Sequence, residues 1–246
     1  MPWLRLIAHG ITAHGSIPRG DNPVPRLARA VARAAAWQTP IRLLPAVDRF
    51  FKAEATLETG EHRTWLSNAN AALATPPGRA FVLGDPYRNA ILRNTIAPTV
   101  LNGSNPTNII PPVASAELDI RVMPDEDTTR FSSARACVIG DRSVHILVMP
   151  GVVASYSADI NNSLVRAAEA QIHEMRSGVP VTTPLAAGAT DRPTYSHAGI
   201  QAYGLEPYVV ENKEEKRGVH GVDERLSIAK ITFDLKLITG MLRRMQ

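Results

Sequence analysis

Residues 3–9 (WLRLIAH) alternate large apolar side chains around Arg5, the period-two pattern of a half-buried strand. A stretch dense in turn formers follows, with Gly15, Pro18, Gly20, Asp21, Asn22, Pro23 and Pro25 leading into a helix predicted to reach about Trp37. That helix carries Val24, Leu27, Val31 and Ala35 at three-to-four spacing, a modest, alanine-rich face suited to packing on a sheet. Residues 38–90 read as mostly helical or irregular, with TPPGRAFVLGDPY expected to be a loop from its Pro and Gly. From Asn94 the pattern turns strand-like: TIAPTVL, a turn at NGSNPTN, then a long alternation from Ile109 to Met123. In that run Ala114, Ala116, Leu118, Ile120 and Val122 share one face, while Ser115, Glu117, Asp119 and Arg121 share the other. Arg121 is therefore predicted to point away from the core. PDEDTTRFSSARACVIG opens with acidic residues, as a helix N-terminus favours, and SVHILVM (143–149) reads as a further strand. The order strand, helix, insert, strand, strand, helix, strand suits an antiparallel sheet with helices on one face.

Beyond Gly151 the pattern changes. NNSLVRAAEAQIHEM sets Leu164, Ala168, Ile172 and Met175 on one stripe; VPVTTPL and GIQAYGLEPYVV are strand candidates, separated by a small-residue turn at AAGATD. From Ser227 to Met245 the chain predicts an amphipathic helix, with Ile228, Ile231, Leu235, Ile238, Leu242 and Met245 in register. This half alternates strand and helix like part of an α/β layer whose other strands are missing. The expected division is a first domain over 1–150, with a helical insert near 38–90, and a second segment over 151–246.

Composition narrows the classes. With 246 residues, 44% hydrophobic and 20% charged, the chain is neither disordered nor fibrous, and it is long enough for one large or two ordinary domains. A net charge of +4, from 27 basic and 23 acidic residues spread along the chain, does not argue for nucleic acid, and 5% aromatics leave little for base stacking. The single cysteine, Cys137, rules out an intramolecular disulfide or a CxxC metal site and is expected in the core of its helix. No run approaches a membrane span, and the N-terminus lacks the apolar stretch of a signal peptide, so a soluble, cytoplasmic protein is expected, with export left open.

Among seven histidines, His62, His145 and His173 read as structural or surface residues. His14, in a Gly/Ser/Pro-bounded loop between a strand and a helix, is set where rigid elements can present an imidazole to a ligand. His220, between glycines in GVHGVDERL and near Asp223 and Glu224, suits a metal ligand or an acid/base group, as well as a solvated loop residue. Arg121 reads either as one half of a cross-strand ion pair or as a guanidinium fork for a carboxylate. Asp191 in GATD reads as a turn or helix cap. No G-x-S-x-G elbow, Walker loop or G-x-G-x-x-G turn is present.

AHGSIPRGDNPVPRLARAV, NTIAPTVLNGSNPTNIIPPVASAELDIRVMP, GATD with GIQAYGLEP, and VHGVDERL before a last helix together resemble metallopeptidase family M20, over nearly the whole chain. The family includes acetylornithine deacetylase, succinyl-diaminopimelate desuccinylase, aminoacylase and carboxypeptidase G; the carboxypeptidase or N-acyl-amino-acid hydrolase branch is the nearest in flavour. The resemblance implies a ferredoxin-like lid (dimerisation) domain, an α+β unit, followed by the C-terminal portion of an α/β zinc-hydrolase catalytic domain. It implies that His14 is the lid histidine reaching the partner subunit's active site and polarising the scissile carbonyl. Asn108 in TNIIP then lies near the substrate, Arg121 grips the substrate's free carboxylate, Asp191 lies near the substrate and His220 is the last metal ligand. Arg192 departs from the small polar residue expected after Asp191.

The family's H-x-D pair, bridging aspartate, glutamate pair and further carboxylate ligand are expected upstream of the lid, where this sequence opens. Two zinc ions are thus expected in an intact enzyme and little or none in this chain alone, which is expected to be a truncated part without activity by itself. Homodimerisation through the lid, a possible N-terminal half-chain and a peptide or N-acyl amino acid substrate follow, with no nucleic acid and no membrane. The alternative is a non-catalytic dimerisation or binding module left from such an enzyme.

Overall fold

The chain is described by a computed structural model covering residues 3–124, 126–150, 158–188, 190–205, 221–222 and 224–245. Strand β1 (Trp3–His9) leads through the short β2 (Ala13–His14) into helix α1 (Pro23–Ala36). Asn22 caps α1 by accepting from the Val24 N–H, and Pro23 enters the first turn, where no amide is needed. Five helices follow, α2 (Pro45–Ala55), α3 (Gly60–Ser67), α4 (Ala69–Leu73), α5 (Pro76–Gly84) and α6 (Pro86–Ala90). Strands β3 (Thr95–Asn102), β4 (Ile109–Ile110) and β5 (Val113–Arg121), helix α7 (Thr128–Ile139) and strand β6 (Val144–Val148) complete this part.

The main sheet has the order β3-β5-β1-β6 with every pair antiparallel, so the two strand–helix–strand halves interlock as in a ferredoxin-like fold. Alternation decides its layers. Leu4, Leu6 and Ala8 of β1 are opposite Leu118, Ala116 and Ala114 of β5, and all six are buried beneath α1 and α7. Leu27, Ala30 and Ala34 form the buried stripe of α1, one step from the predicted one, and Val24 is exposed. Trp37 stacks on Phe131 at 5.5 Å between centroids and closes the layer. The other face carries the Arg5–Glu117 pair at 2.7 Å, directly cross-strand. Pro98 is tolerated because β3 lies at the sheet edge, where a register shift between Pro98 and Val100 leaves the ladder irregular.

Helices α2 to α6 build a second core around Val47, Phe51, Leu66, Val82, Ile91 and Leu92. The stretch expected to be a loop is therefore helical: Pro76 and Pro86 stand in the first turns of α5 and α6, where proline starts a helix instead of breaking one. The root of this insert is tied to the sheet by Glu126, whose Oε2 accepts from Arg42 and from the Asn94 side chain at 2.6 and 2.7 Å. Asn94 Oδ1 in turn accepts the Met123 N–H at 2.8 Å.

Downstream, α8 (Ser163–Met175), α9 (Arg192–His197) and α10 (Ile228–Arg244) are the regular elements among the described residues. The strands predicted at VPVTTPL and at the start of GIQAYGLEPYVV are absent there; residues 206–210 of the latter lie outside the described residues. Among the described residues no neighbouring strand pairs with them, and an unpaired strand leaves its amides without partners. Helix α10 buries Leu237 and Met241 against Ala168 of α8, whereas the predicted apolar stripe of Ile228, Ile231, Leu235, Ile238, Leu242 and Met245 is exposed. Cys137 is exposed, contrary to the expectation of a core position, because α7 buries Phe131 and Ile139 instead. Among the described residues no helix is long and apolar enough to cross a membrane.

Candidate functional site

The loop after β1 is shaped by close backbone approach. A Cβ on Gly10 would meet Asp21 O at 2.4 Å, and one on Gly15 would meet Asn108 O at 3.2 Å. Past Gly10 the chain pairs with β4: Ala13 is opposite Ile110, His14 is opposite Ile109, and the Gly15 N–H donates to Asn108 O at 2.6 Å. This ribbon brings together two of the predicted site residues, His14 and Asn108, from positions 94 apart in the chain. Both are exposed.

The His14 ring is oriented by its own loop. Its Nδ1 accepts the Ser16 N–H at 3.2 Å and lies 2.8 Å from Ser16 Oγ, an arrangement that assigns the proton of a neutral imidazole to Nε2. The Nε2–H is then a hydrogen-bond donor on an exposed side chain, suited to a carbonyl or developing oxyanion.

Arg121 ends β5, opposite Thr95, on the face away from the core as the alternation predicts. Its Nη2 donates to Asp119 Oδ2 at 2.6 Å, an ion pair that runs along its own strand. Asp119 Oδ1 is buried without a partner among the described residues. A ligand carboxylate would share this guanidinium with Asp119. Between Val113 and Arg121, β5 rises roughly 26 Å at ~3.3 Å per residue, so Arg121 and the His14–Asn108 ribbon occupy opposite ends of the sheet.

Asp191 is the N-cap residue of α9 by backbone position, its carbonyl accepting from Thr194 and Tyr195, but its exposed side chain makes no capping bond. The loop before it is held by the helical insert. Tyr87 Oη donates to Leu185 O at 3.1 Å, and Leu185 and Ala187 pack on the insert's core. Sequence reasoning missed this contact, which joins residues 98 apart. Arg192, the departure from the family pattern, donates from Nε to Thr190 Oγ1 at 2.9 Å. His220 lies outside the described residues. Among the described residues no three His, Cys, Asp or Glu side chains cluster so as to hold a metal ion, so a zinc centre does not fit them by themselves.

Residues 2–141 match the M20 peptidase dimerisation domain. The chain is 26% identical over 230 residues to the N-fatty-acyl-amino acid synthase/hydrolase PM20D1 of Xenopus tropicalis, covering 91% of this chain and 44% of that protein. It is 28% identical over 232 residues to the probable carboxypeptidase S-like 2 of Dictyostelium discoideum, covering 92% of this chain and 43% of that protein. The chain thus spans less than half the length of these curated relatives. The M20 family metallo-carboxypeptidase Sso-CP2 of Sulfolobus solfataricus shares the fold, with a TM-score of 0.60 at 16% identity over 98% of this chain and 57% of that one.

Proposed function

We propose a function from one fixed premise: this chain belongs to the M20 peptidase dimerisation-domain family. It supplies the lid and the C-terminal catalytic segment, dividing near residue 150, of a metal-dependent hydrolase of amide or peptide bonds. Its substrates are N-acyl amino acids or peptide C-termini, in keeping with relatives named as an N-fatty-acyl-amino acid synthase/hydrolase and a carboxypeptidase S-like protein.

The observation that carries this reading is the separation of the candidate side chains between the two-stranded ribbon and the four-stranded sheet. The ribbon pairing joins His14 to Asn108, while Arg121 stands at the far end of β5. Side chains so separated serve two different centres, as in a homodimer whose lids cross over: His14 and Asn108 reach the partner's substrate, and Arg121 faces its own. His14 donates from Nε2 to the scissile carbonyl and stabilises the charge that grows on its oxygen. Arg121, steadied by Asp119, anchors the substrate carboxylate. Asp191 borders the same substrate, and His220 is a ligand of a zinc pair whose other ligands are outside the described residues. The exposed stripe of α10 is the face that the remainder of the catalytic domain covers.

The test is to incubate the chain with zinc and a panel of N-acyl amino acids and dipeptides, alone and with a segment carrying the H-x-D and glutamate ligands. The expected result is no amino acid released by the chain alone and release on mixing, abolished by His14→Ala and with a raised KM in Arg121→Ala. Assembly of the two pieces without hydrolysis overturns the hydrolase reading and leaves a dimerisation or binding module. Hydrolysis by the chain alone, lost in His220→Ala, overturns the need for a second segment.

A further inference from the structure

Two arginines are buried among the described residues, and they are treated in opposite ways. Arg88, 8% exposed, donates from Nε and Nη2 to the two carboxylate oxygens of Glu54 at 3.1 and 2.6 Å, and lies 4.6 Å over the Phe81 ring. This is the usual way to bury a guanidinium: a bidentate counter-charge and an aromatic face.

Arg93 is 6% exposed and has no such partner. Its one hydrogen bond is from Nη1 to the neutral Gln38 Oε1 at 2.7 Å, and its Nε is buried with nothing to donate to. Four residues earlier, Asn89 Oδ1 is also buried and unpaired. Burial and the nearby positive charge of Arg79 both push the Arg93 pKa down from its ordinary value, and no carboxylate among the described residues offsets them. A charged group taken out of water without a counter-charge is strongly disfavoured, and a guanidinium stays protonated at any working pH.

The geometry points to a small-oxyanion site at Arg93, taking a carboxylate or a phosphate, with Arg79 as the second cation and Gln38 as the group displaced. The Nη1 and Nη2 end of a guanidinium can grip two oxygens in parallel, and the anion takes this end once Gln38 leaves Nη1. Gln38 is exposed, so its side chain is free to swing aside, and its Oε1 now occupies the position an oxyanion oxygen would take on Nη1. The site stands at the exit of the helical insert, one residue before Asn94, which links Glu126 and Met123. A bound anion would therefore fasten the insert to the lid, at the opposite end of the insert's chain from its entry at Arg42.

The experiment is a melting titration of the full chain with inorganic phosphate and, separately, acetate, at an ionic strength held constant with sodium chloride. A saturable rise in Tm with one or both anions is expected, since a ligand that binds only the folded state stabilises it by mass action. The anion that saturates at the lower concentration identifies the natural class. Arg93→Met should abolish the rise, and Arg79→Gln should weaken the apparent affinity by roughly three- to tenfold. Gln38→Ala, a change at an exposed side chain, should tighten binding by removing the competitor, and it keeps the test decisive if Arg93→Met fails to fold. No rise beyond that of sodium chloride, a rise that survives Arg93→Met, or an affinity unchanged in Gln38→Ala would each overturn the proposal.

Discussion

Between the four strands and their two covering helices, Leu4, Leu6, Leu118 and Ile120 are almost fully withdrawn from water, and the polar face of the sheet is laced by Arg5–Glu117 and Arg121–Asp119. In the α8–α10 pair only Ala168, Leu237 and Met241 are buried as a cluster, and six large apolar side chains along α10 face outward. Both regions have amphipathic sequences. They differ in whether the chain itself brings a second layer to the apolar face, and the contrast teaches that periodicity locates a face but not what covers it. Among the described residues the first region covers its apolar face, and the second leaves most of that face exposed.

The most forceful way to break this comparison is to truncate one apolar residue in each region. Leu6→Ala should cost about 2–5 kcal/mol in urea unfolding, since it opens a cavity among residues that cannot collapse onto it. Leu235→Ala, at a residue 63% exposed, should change stability by no more than about 0.5 kcal/mol. Equal costs would mean that α10 is covered in solution, by a second copy or by another part of the chain, and the contrast would fail.

A sharper version uses charge. The helical insert is a third region, complete like the sheet, and Arg88–Glu54 is its partly buried ion pair, the two side chains being 10% and 26% exposed. Glu54→Gln leaves the guanidinium without a counter-charge and should cost about 1–3 kcal/mol, less than a fully buried pair because Glu54 keeps some solvent contact. Thermal melts of the variant at low and high salt check this. A cost near zero would place the insert with the α8–α10 pair as a loosely closed unit.

The order of elements and the antiparallel sheet were legible because β1 and β5 each keep a strict two-residue alternation, with Leu4, Leu6, Leu118 and Ile120 unambiguous in direction. Arg121 was legible for the same reason. The helical start at Pro76 was not, because proline in a first turn and proline in a loop look alike without the backbone. Nor was the contact of Tyr87 with Leu185, which joins residues 98 apart and leaves no local trace. The outward stripe of α10 was visible as a stripe, but its exposure depends on partners that no spacing encodes. The closeness of His14 to Asn108 was not legible, since the two-residue strands β2 and β4 are too short to show a period.

The stripe itself yields a smaller effect. Changing Leu235 and Leu242 together to serine should leave the unfolding midpoint within about 0.5 kcal/mol while lowering the binding of a hydrophobic dye and any self-association seen by light scattering. If dye binding is unchanged, the exposed surface that distinguishes the two regions lies elsewhere.

The smallest effect concerns the turn between α7 and β6, at the rim of the well-closed region. Asp141 Oδ1 accepts from Ser143 Oγ at 2.5 Å and from the Ser143 N–H at 2.9 Å, and these two bonds hold its carboxyl below the ordinary carboxylate range. The folded pKa is thus lower than the unfolded one, near about 3.9. The ionised form is favoured by folding, so its contribution is fully present above the unfolded pKa and is lost as pH falls through the folded one. Melting the chain and Asp141→Asn in parallel from pH 6 to pH 3 should show a small stability gap in favour of the native residue that narrows on acidification below about pH 4. A gap that stays constant across that range would mean that the amide reproduces the turn's hydrogen bonds and that charge plays no part in it. The sheet region would then owe its completeness at this corner to backbone geometry alone.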